Sequence, residues 1–322
     1  MSKLPLIIDK PDTQLTQQSG VLEIKTPLHR ETLPIRFLDS VVIYGKPMVS
    51  CDVWRAFSEH AIAVTLLPSR GKGEPAWMGG GLAVNTRWRQ QQYAAFSSSI
   101  TRLQIAKWVI EQKFAAQNAH LLMHGLAKLD SHTNNAKDLA QLMGYEGSSA
   151  KSYFQALGGQ LHSGWAFNGR NRQPPKDPVN ALLSLSYTLA VSEVKMAIEV
   201  AGLDPWLGFV HHTYPARPAL ALDLLEAFRP QIDQWIWQII HEFEHDDFSV
   251  SDAEGCRLAK EARRSFYAKW HQQTQDWLGT EQTLRQLIKQ YVETFKNQLA
   301  LCLPIDTMEE MNHVSIDPTI PF

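Results

Sequence analysis

At Asn85 the hydrophobic pattern of this chain changes period, and that switch limits the folds open to it more than any other feature. Upstream, LPLIID, GVLEIK, LPIRFL, SVVIYG and AIAVTLLP are short and rich in β-branched residues, and PDT, PLHR, GKPM and SRGKG place turn chemistry between them. One helix is expected there, DVWRAFSEHA, with Asp52 as its cap. Downstream, the spacing predicts long helices. Residues 90–126 are rich in Gln, Ala, Leu, Ile and Lys and contain no proline. NNAKDLAQLMG reads as a short helix ended by Gly144, and SSAKSYFQAL as the next, capped by Ser148, which puts Glu146 at a helix entrance. Three prolines keep RNRQPPKDPVN irregular, and Asp177-Pro178 then opens ALLSLSYTLAVSEVKMAIEVAG, ended by Gly202. Two or three further helices are expected over residues 231–300. The expected class is α+β: an antiparallel β domain over residues 1–86, a larger, nearly all-α domain over 87–302, and a mobile or partner-docking tail over 303–322.

Composition narrows the function classes. The chain has 322 residues, 44% of them hydrophobic, enough for a large core and two domains. Its apolar runs fall well short of a membrane span and its start lacks the layout of a signal peptide, so a cytoplasmic protein without a membrane partner is expected. Cys51, Cys256 and Cys302 form no CxxC pair, which argues against a disulfide framework and a cysteine zinc site. The glycines at 71, 73 and 79–81 lack the GK[ST] of a phosphate loop and read as hairpin turns. Net charge is −2, but it is unevenly spread. Residues 87–176 carry 11 basic and 4 acidic residues, and residues 177–322 carry 11 and 21. A local basic stretch suffices for phosphate binding, because the neutralised phosphates set the affinity.

Within residues 208–230, GFVHHTYPARPALALDLLEAFRP, Asp223 and Glu226 interrupt an apolar stretch just after two histidines. Pro218 suits a first helical turn and Pro230 forces a stop or a kink. On a helix, Leu220, Leu224, Leu225 and Phe228 cover one arc while Asp223 and Glu226 share another edge. The two carboxylates therefore point together, at water or at a cation. Taken singly, Glu146 is explained by the helix dipole, His211 and His212 by an exposed loop, and the carboxylate pair by a wet helix face. Together they put oxygen and nitrogen donors on separate helices or helix entrances of one bundle, which is how bundles build metal sites. Carboxylates with one imidazole suit Mg2+ or Mn2+, ions that act on phosphates. Arg170, Arg172 and Lys176 form a basic loop nearby, suited to a nucleic-acid backbone or to plain solvation. A competing motif is His241-Glu242-Phe243-Glu244-His245, which fits the H-E-x-x-H pattern of zinc proteases, with Glu254 or Glu261 as a third ligand.

The segments LPIRFLDSVVIYGKPMVS, NTRWRQQQY, LMGYEGSSAKSYF, RNRQPPKDPVNALLSLSY and GFVHHTYPARPALALDLLEAFRP follow one another in a specific order and spacing. The chain resembles the family of CRISPR-associated protein one, the integrase subunit that inserts new spacers into a CRISPR array. Asn85, Arg89 and Gln92 fall at that family's Asn, Arg and Gln spacing. The resemblance implies that Glu146, His211 and Glu226 ligate a divalent metal, Mg2+ or Mn2+, with Asp223 as a further catalytic residue facing the same site. Gly208-Phe209-Val210 selects His211 and leaves His212 a bystander. Arg89 and Arg217 join Arg170, Arg172 and Lys176 as expected DNA contacts. The implied reaction is strand transfer from a 3′-hydroxyl to a phosphodiester of repeat DNA. The implied partners are DNA, a second copy of the chain through the β domain, and the small CRISPR-associated protein two. Gln173 and Ala219 depart from many relatives, which carry a basic and a small hydroxyl residue there. A zinc metalloprotease and a non-catalytic DNA-binding scaffold are the alternatives.

Overall fold

The computed structural model describes residues 4–10, 12–60, 62–68, 75–78, 86–171, 174–212, 214–251 and 255–303. Its first part contains strands β1 (Leu4–Ile8), β2 (Gln14–Gln18), β3 (Val21–Lys25), β4 (Arg30–Pro34), β5 (Leu38–Tyr44), β6 (Met48–Val49), β7 (Ala63–Leu67) and β8 (Ala76–Met78), with helix α1 (Cys51–Glu59) between β6 and β7. They form two four-stranded sheets, ordered β1-β5-β7-β8 and β4-β3-β2-β6.

The α+β class holds, but the sheets are mixed where an antiparallel domain was expected. β1 with β5, β5 with β7, and β2 with β6 run parallel. The reason lies in the connections. The β2–β4 meander separates β1 from β5 and α1 separates β5 from β7, and a crossover of that length returns the chain to pair in the same direction. Antiparallel pairing joins strands that follow one another in the chain, as at β2 and β3, where Ser19 and Gly20 both take positive φ. LPIRFL is not a strand: Ile35–Phe37 make one 3-10 turn between β4 and β5. Ser50, not Asp52, holds the capping position of α1.

The helical part comprises α2 (Thr86–Ser97), α3 (Ser99–Met123), α4 (Leu139–Gly158), α5 (Pro178–Val200), α6 (Ala219–Leu225), α7 (Arg229–Ile239), α8 (Lys260–Gln275) and α9 (Leu284–Cys302). An antiparallel hairpin, β9 (Phe248–Ser251) and β10 (Gly255–Leu258), interrupts it. The helical stretch expected over residues 90–126 breaks at Ser98, whose hydroxyl accepts from Thr101 N–H at 3.3 Å and caps α3. Conversely, the two helices expected around Gly144 are one. Asp138 caps α4 by accepting from Gln141 N–H at 2.8 Å, and the helix runs through Gly144, Gly147 and Ser148. Glu146 is therefore mid-helix, not at an entrance.

Helix α5 begins as expected, with Pro178 in its first turn and Asp177 accepting from Asn180 N–H at 2.8 Å. Gly202, at φ +83°, follows its end. Among the described residues α5 is long and apolar enough to cross a membrane, yet 72% of that window is buried inside the protein. It packs against α6, α7, α9, β7 and β10 as a core helix.

Two cores result. Leu15, Leu22, Ile35, Val41 and Phe57 fill the smaller one between the sheets and α1, and the larger fills the helical part. Alternation along β5 divides its side chains between them, Val41 and Ile43 to the first and Val42 to the second. The sheet β1-β5-β7-β8 is thus covered on both faces. Tyr44 and Tyr267 share a hydrogen bond of 2.5 Å across this junction, and Arg263 lies 4.6 Å from the centre of the Tyr44 ring.

Candidate active site

Gly208 fixes the path of the chain into the site. A Cβ there would lie 2.7 Å from both the Ala219 carbonyl carbon and Asp223 Oδ2, so the 208–211 backbone runs against α6 only because this position is glycine. That approach turns successive N–H groups toward Asp223. Oδ2 accepts from Phe209 N–H at 2.5 Å and Val210 N–H at 3.0 Å; Oδ1 accepts from His211 N–H at 2.9 Å and from His211 Nδ1 at 2.7 Å. Asp223 is fully buried, and four donors satisfy its charge. The expectation that Asp223 faces the metal site as a further catalytic residue is thereby corrected: its carboxylate is committed to the loop before it and to the ring of His211. With Nδ1 donating, Nε2 of His211 carries the lone pair, and it lies 3.9 Å from Glu226 Oε1.

Glu226 occupies the three-residue turn between α6 and α7, the kink expected near Pro230, and Pro230 sits in the first turn of α7, after Arg229. It is 3% exposed, so the wet-face reading of the carboxylate pair fails. Arg229 Nε donates to Glu226 Oε1 at 2.8 Å, and Lys113 Nζ of α3 lies 2.5 Å from Oε2. Lys113 also donates to Glu146 Oε1. Burial opposes the charge of Glu226, but Arg229 and then Lys113 outweigh it and hold the carboxyl well below the usual range. Burial likewise opposes the charge of Lys113, and the two glutamates raise it again.

Among the described residues, no three His, Cys, Asp or Glu side chains are grouped to hold a metal ion as they stand. Glu226 and His211 are neighbours, and Glu146 reaches them only through Lys113. The donor chemistry nevertheless suits a hard divalent cation. Glu226 Oε2 is buried and accepts no aligned hydrogen bond, its close contact being the Lys113 ammonium, and the Nε2 lone pair of His211 stands beside the same carboxylate.

Next to this cluster is a cavity of about 350 Å3 lined by Lys113, Gln117, Glu146, Lys151, Arg170 and Arg229, among others. Behind it, Asp233 accepts from Tyr187 and, at 3.0 Å, from Tyr153. Burial pushes its carboxyl up to about 7 despite those two hydrogen bonds. Sequence reasoning missed Lys113 and Arg229. The available signal was charge balance, since carboxylates on a buried helix face require cations from other elements.

The expected DNA contacts divide. Arg89 on α2 and Lys176 are exposed, and Arg217 is half-buried ahead of α6. Arg170 is corrected: it donates to Asn180 Oδ1 at 2.7 Å and Ser184 Oγ at 3.0 Å, which knits it into α5 as a cavity wall. Arg172 lies outside the described residues, as do Asn85, Gln173, the glycines at 71, 73 and 79–81 and the tail from 304. The proline loop is held from behind, where Cys256 N–H of β10 donates to the Pro175 carbonyl at 2.7 Å. His212 is exposed.

The zinc-protease pattern is also corrected. Its histidines fall in two separate 3-10 turns, Ile240–Glu242 and His245–Asp247, and Phe243 and Glu244 between them are extended. They cannot share one helical face. Glu242 pairs with Lys269, and His245 packs on Trp165 with ring centroids 4.8 Å apart.

A sheet-bearing N-terminal part and a helical part whose interior gathers carboxylates, an imidazole and basic side chains beside a cavity together define the class of fold. Residues 6–272 match the sequence profile of CRISPR associated protein Cas1, and the chain belongs to that family. It is similar to the CRISPR-associated endonuclease Cas1 2 of Rhodospirillum rubrum, at 35% identity over 286 residues and 80% of each chain. A casposase bound to integration product is similar in fold, with TM-score 0.78, 24% identity, and coverage of 94% of this chain and 91% of that one. A chain of a Cas6-RT-Cas1–Cas2 complex matches with TM-score 0.77 and 24% identity over 93% of this chain and 35% of that one.

Proposed function

We propose that this chain is a DNA endonuclease and integrase of CRISPR adaptation, which uses Mg2+ or Mn2+ to join 3′-hydroxyl ends of short DNA fragments to repeat DNA. The observation that carries this reading is the buried pairing of His211 Nε2 with Glu226 across 3.9 Å, with Glu146 tied to the same cluster. Glu146, His211 and Glu226 would hold the metal, which polarises phosphoryl oxygens and eases deprotonation of the attacking hydroxyl. Asp223 holds the imidazole with Nε2 toward the site, and Arg229 keeps Glu226 ionised and in place. The attacking oxygen forms one P–O bond as another breaks, and the departing oxygen takes up a proton. One phosphodiester replaces another, so the reaction needs no nucleotide cofactor. Exposed Arg89 and Lys176 suit backbone phosphates, and the cavity beside Glu146 has room for a phosphate group.

The relatives support the partners. The curated relative is named an endonuclease, one structural neighbour holds an integration product, and another belongs to an assembly containing Cas2. We assign DNA and CRISPR-associated protein two as partners on that support, and a homodimer through the β-sheet part on family resemblance.

The test uses labelled forked and repeat DNA with Mn2+, with and without EDTA. Glu146→Ala, His211→Ala and Glu226→Ala are each expected to lose cutting and joining by at least about a hundredfold while keeping the wild-type circular dichroism spectrum. Unchanged joining in all three variants would remove the site assignment. DNA affinity without turnover at any metal level would mark a scaffold instead.

A further inference from the structure

Lys113 is the feature that the proposed chemistry does not absorb. It is 7% exposed, its Nζ lies 2.5 Å from Glu226 Oε2, and it donates to Glu146, so it occupies the space between two side chains assigned to one metal. With Arg229 it balances the charge of both glutamates. Asp223 takes no part in this balance, because backbone N–H groups and His211 satisfy it separately.

Adding a divalent cation to this neutral set would leave two uncompensated positive charges where Glu226, Lys113 and Arg229 are each less than a tenth exposed. Buried charge without a partner is strongly disfavoured. Withdrawal of one resident cation halves that excess, and a substrate phosphate can meet the rest. Arg229 is pinned, with Nε on Glu226 at 2.8 Å and its guanidinium 4.5 Å from the centre of the Tyr187 ring. Lys113 has a flexible four-carbon stem and already lines the cavity of about 350 Å3, so it has somewhere to go.

We propose that Lys113 is a resident counter-ion that holds Glu146 and Glu226 together in the metal-free protein and swings into the adjoining cavity when a divalent cation binds. This rests on reading Glu146 and Glu226 as metal ligands. Displaced, the ammonium stands where a phosphate oxygen of bound DNA would accept from it. Lys113 is thus a positioning residue that passes from carboxylates to substrate.

The full chain is tested with Mn2+ alone. Lys113→Met is expected to melt at a lower temperature than wild type in EDTA and to bind Mn2+ at least about tenfold more tightly by calorimetry, because a competing cation has been removed. On wild type, acylation by an amine-reactive reagent with peptide mass mapping should leave Lys113 unlabelled in EDTA and labelled when Mn2+ is bound. That second measurement decides the matter if Lys113→Met fails to fold. Equal or weaker Mn2+ affinity in the folded variant, or a Lys113 that stays unlabelled with metal bound, would overturn the displacement and leave the metal site standing. If wild type takes up no Mn2+, or Glu226→Ala takes it up as tightly as wild type, both the metal reading and the displacement fall.

Discussion

Asp223 is buried away from solvent, and three backbone N–H groups and one imidazole converge on its carboxylate. Asparagine offers a single acceptor oxygen there and turns an amide N–H2 toward other donors. Asp223→Asn is expected to cost about 3 kcal/mol of stability, because buried donors lose their partners. Urea denaturation checks this, and a loss below about 1 kcal/mol would show that the loop reorganises at little expense. At this scale the sequence was partly legible. The three-residue spacing singled out Asp223 and Glu226, and both are buried near His211, although α6 ends at Leu225 and Glu226 lies in the turn after it. What each carboxylate touches was not legible, because the partners of Asp223 are mostly backbone N–H groups, which every residue but proline carries. The readable trace of that contact is Gly208, whose missing side chain lets the backbone approach.

Helix α4 shows the opposite relation between local signal and outcome. Gly144, Gly147, Ser148 and Ser149 look like a stop followed by a start, yet α4 passes through all of them. Asp138 supplies the cap, while Leu142, Tyr153 and Phe154 anchor the helix in the larger core, and packing overrides propensity. Because nothing lies within 4 Å of a Cβ at Gly144, Gly144→Ala is expected to stabilise the protein by about 0.5–1 kcal/mol, visible as a higher melting temperature. A lower melting temperature would mean that the chain turns there after all. The sheets carry a related lesson. The helix over DVWRAFSEHA was legible, and a helix between two strands implies a parallel crossover; the antiparallel expectation gave the turn residues too much weight and that helix too little.

Across the whole molecule, a net charge of −2 conceals the basic stretch over residues 87–176. That count overstates what a polyanion meets, because Lys113 and Arg170 from the same stretch are turned inward. The exposed members are the ones expected to set affinity. Arg89→Ala and Lys176→Ala should weaken binding to unrelated DNA sequences alike and reduce the salt slope of binding by about 1 each. Fluorescence anisotropy across a salt series measures both quantities, and a loss confined to one sequence would overturn the assignment to phosphates.

The backbone clasp on the proline loop ties Gly255 to the segment that carries Lys176. Gly255, at φ +68°, has no room for a side chain: a Cβ would come within 2.3 Å of the Pro175 carbonyl oxygen and 2.5 Å of Pro174 Cβ. A methyl group at position 255 would therefore act as a wedge between the hairpin and the loop, and on the function proposed above it would disturb Lys176 without touching that side chain.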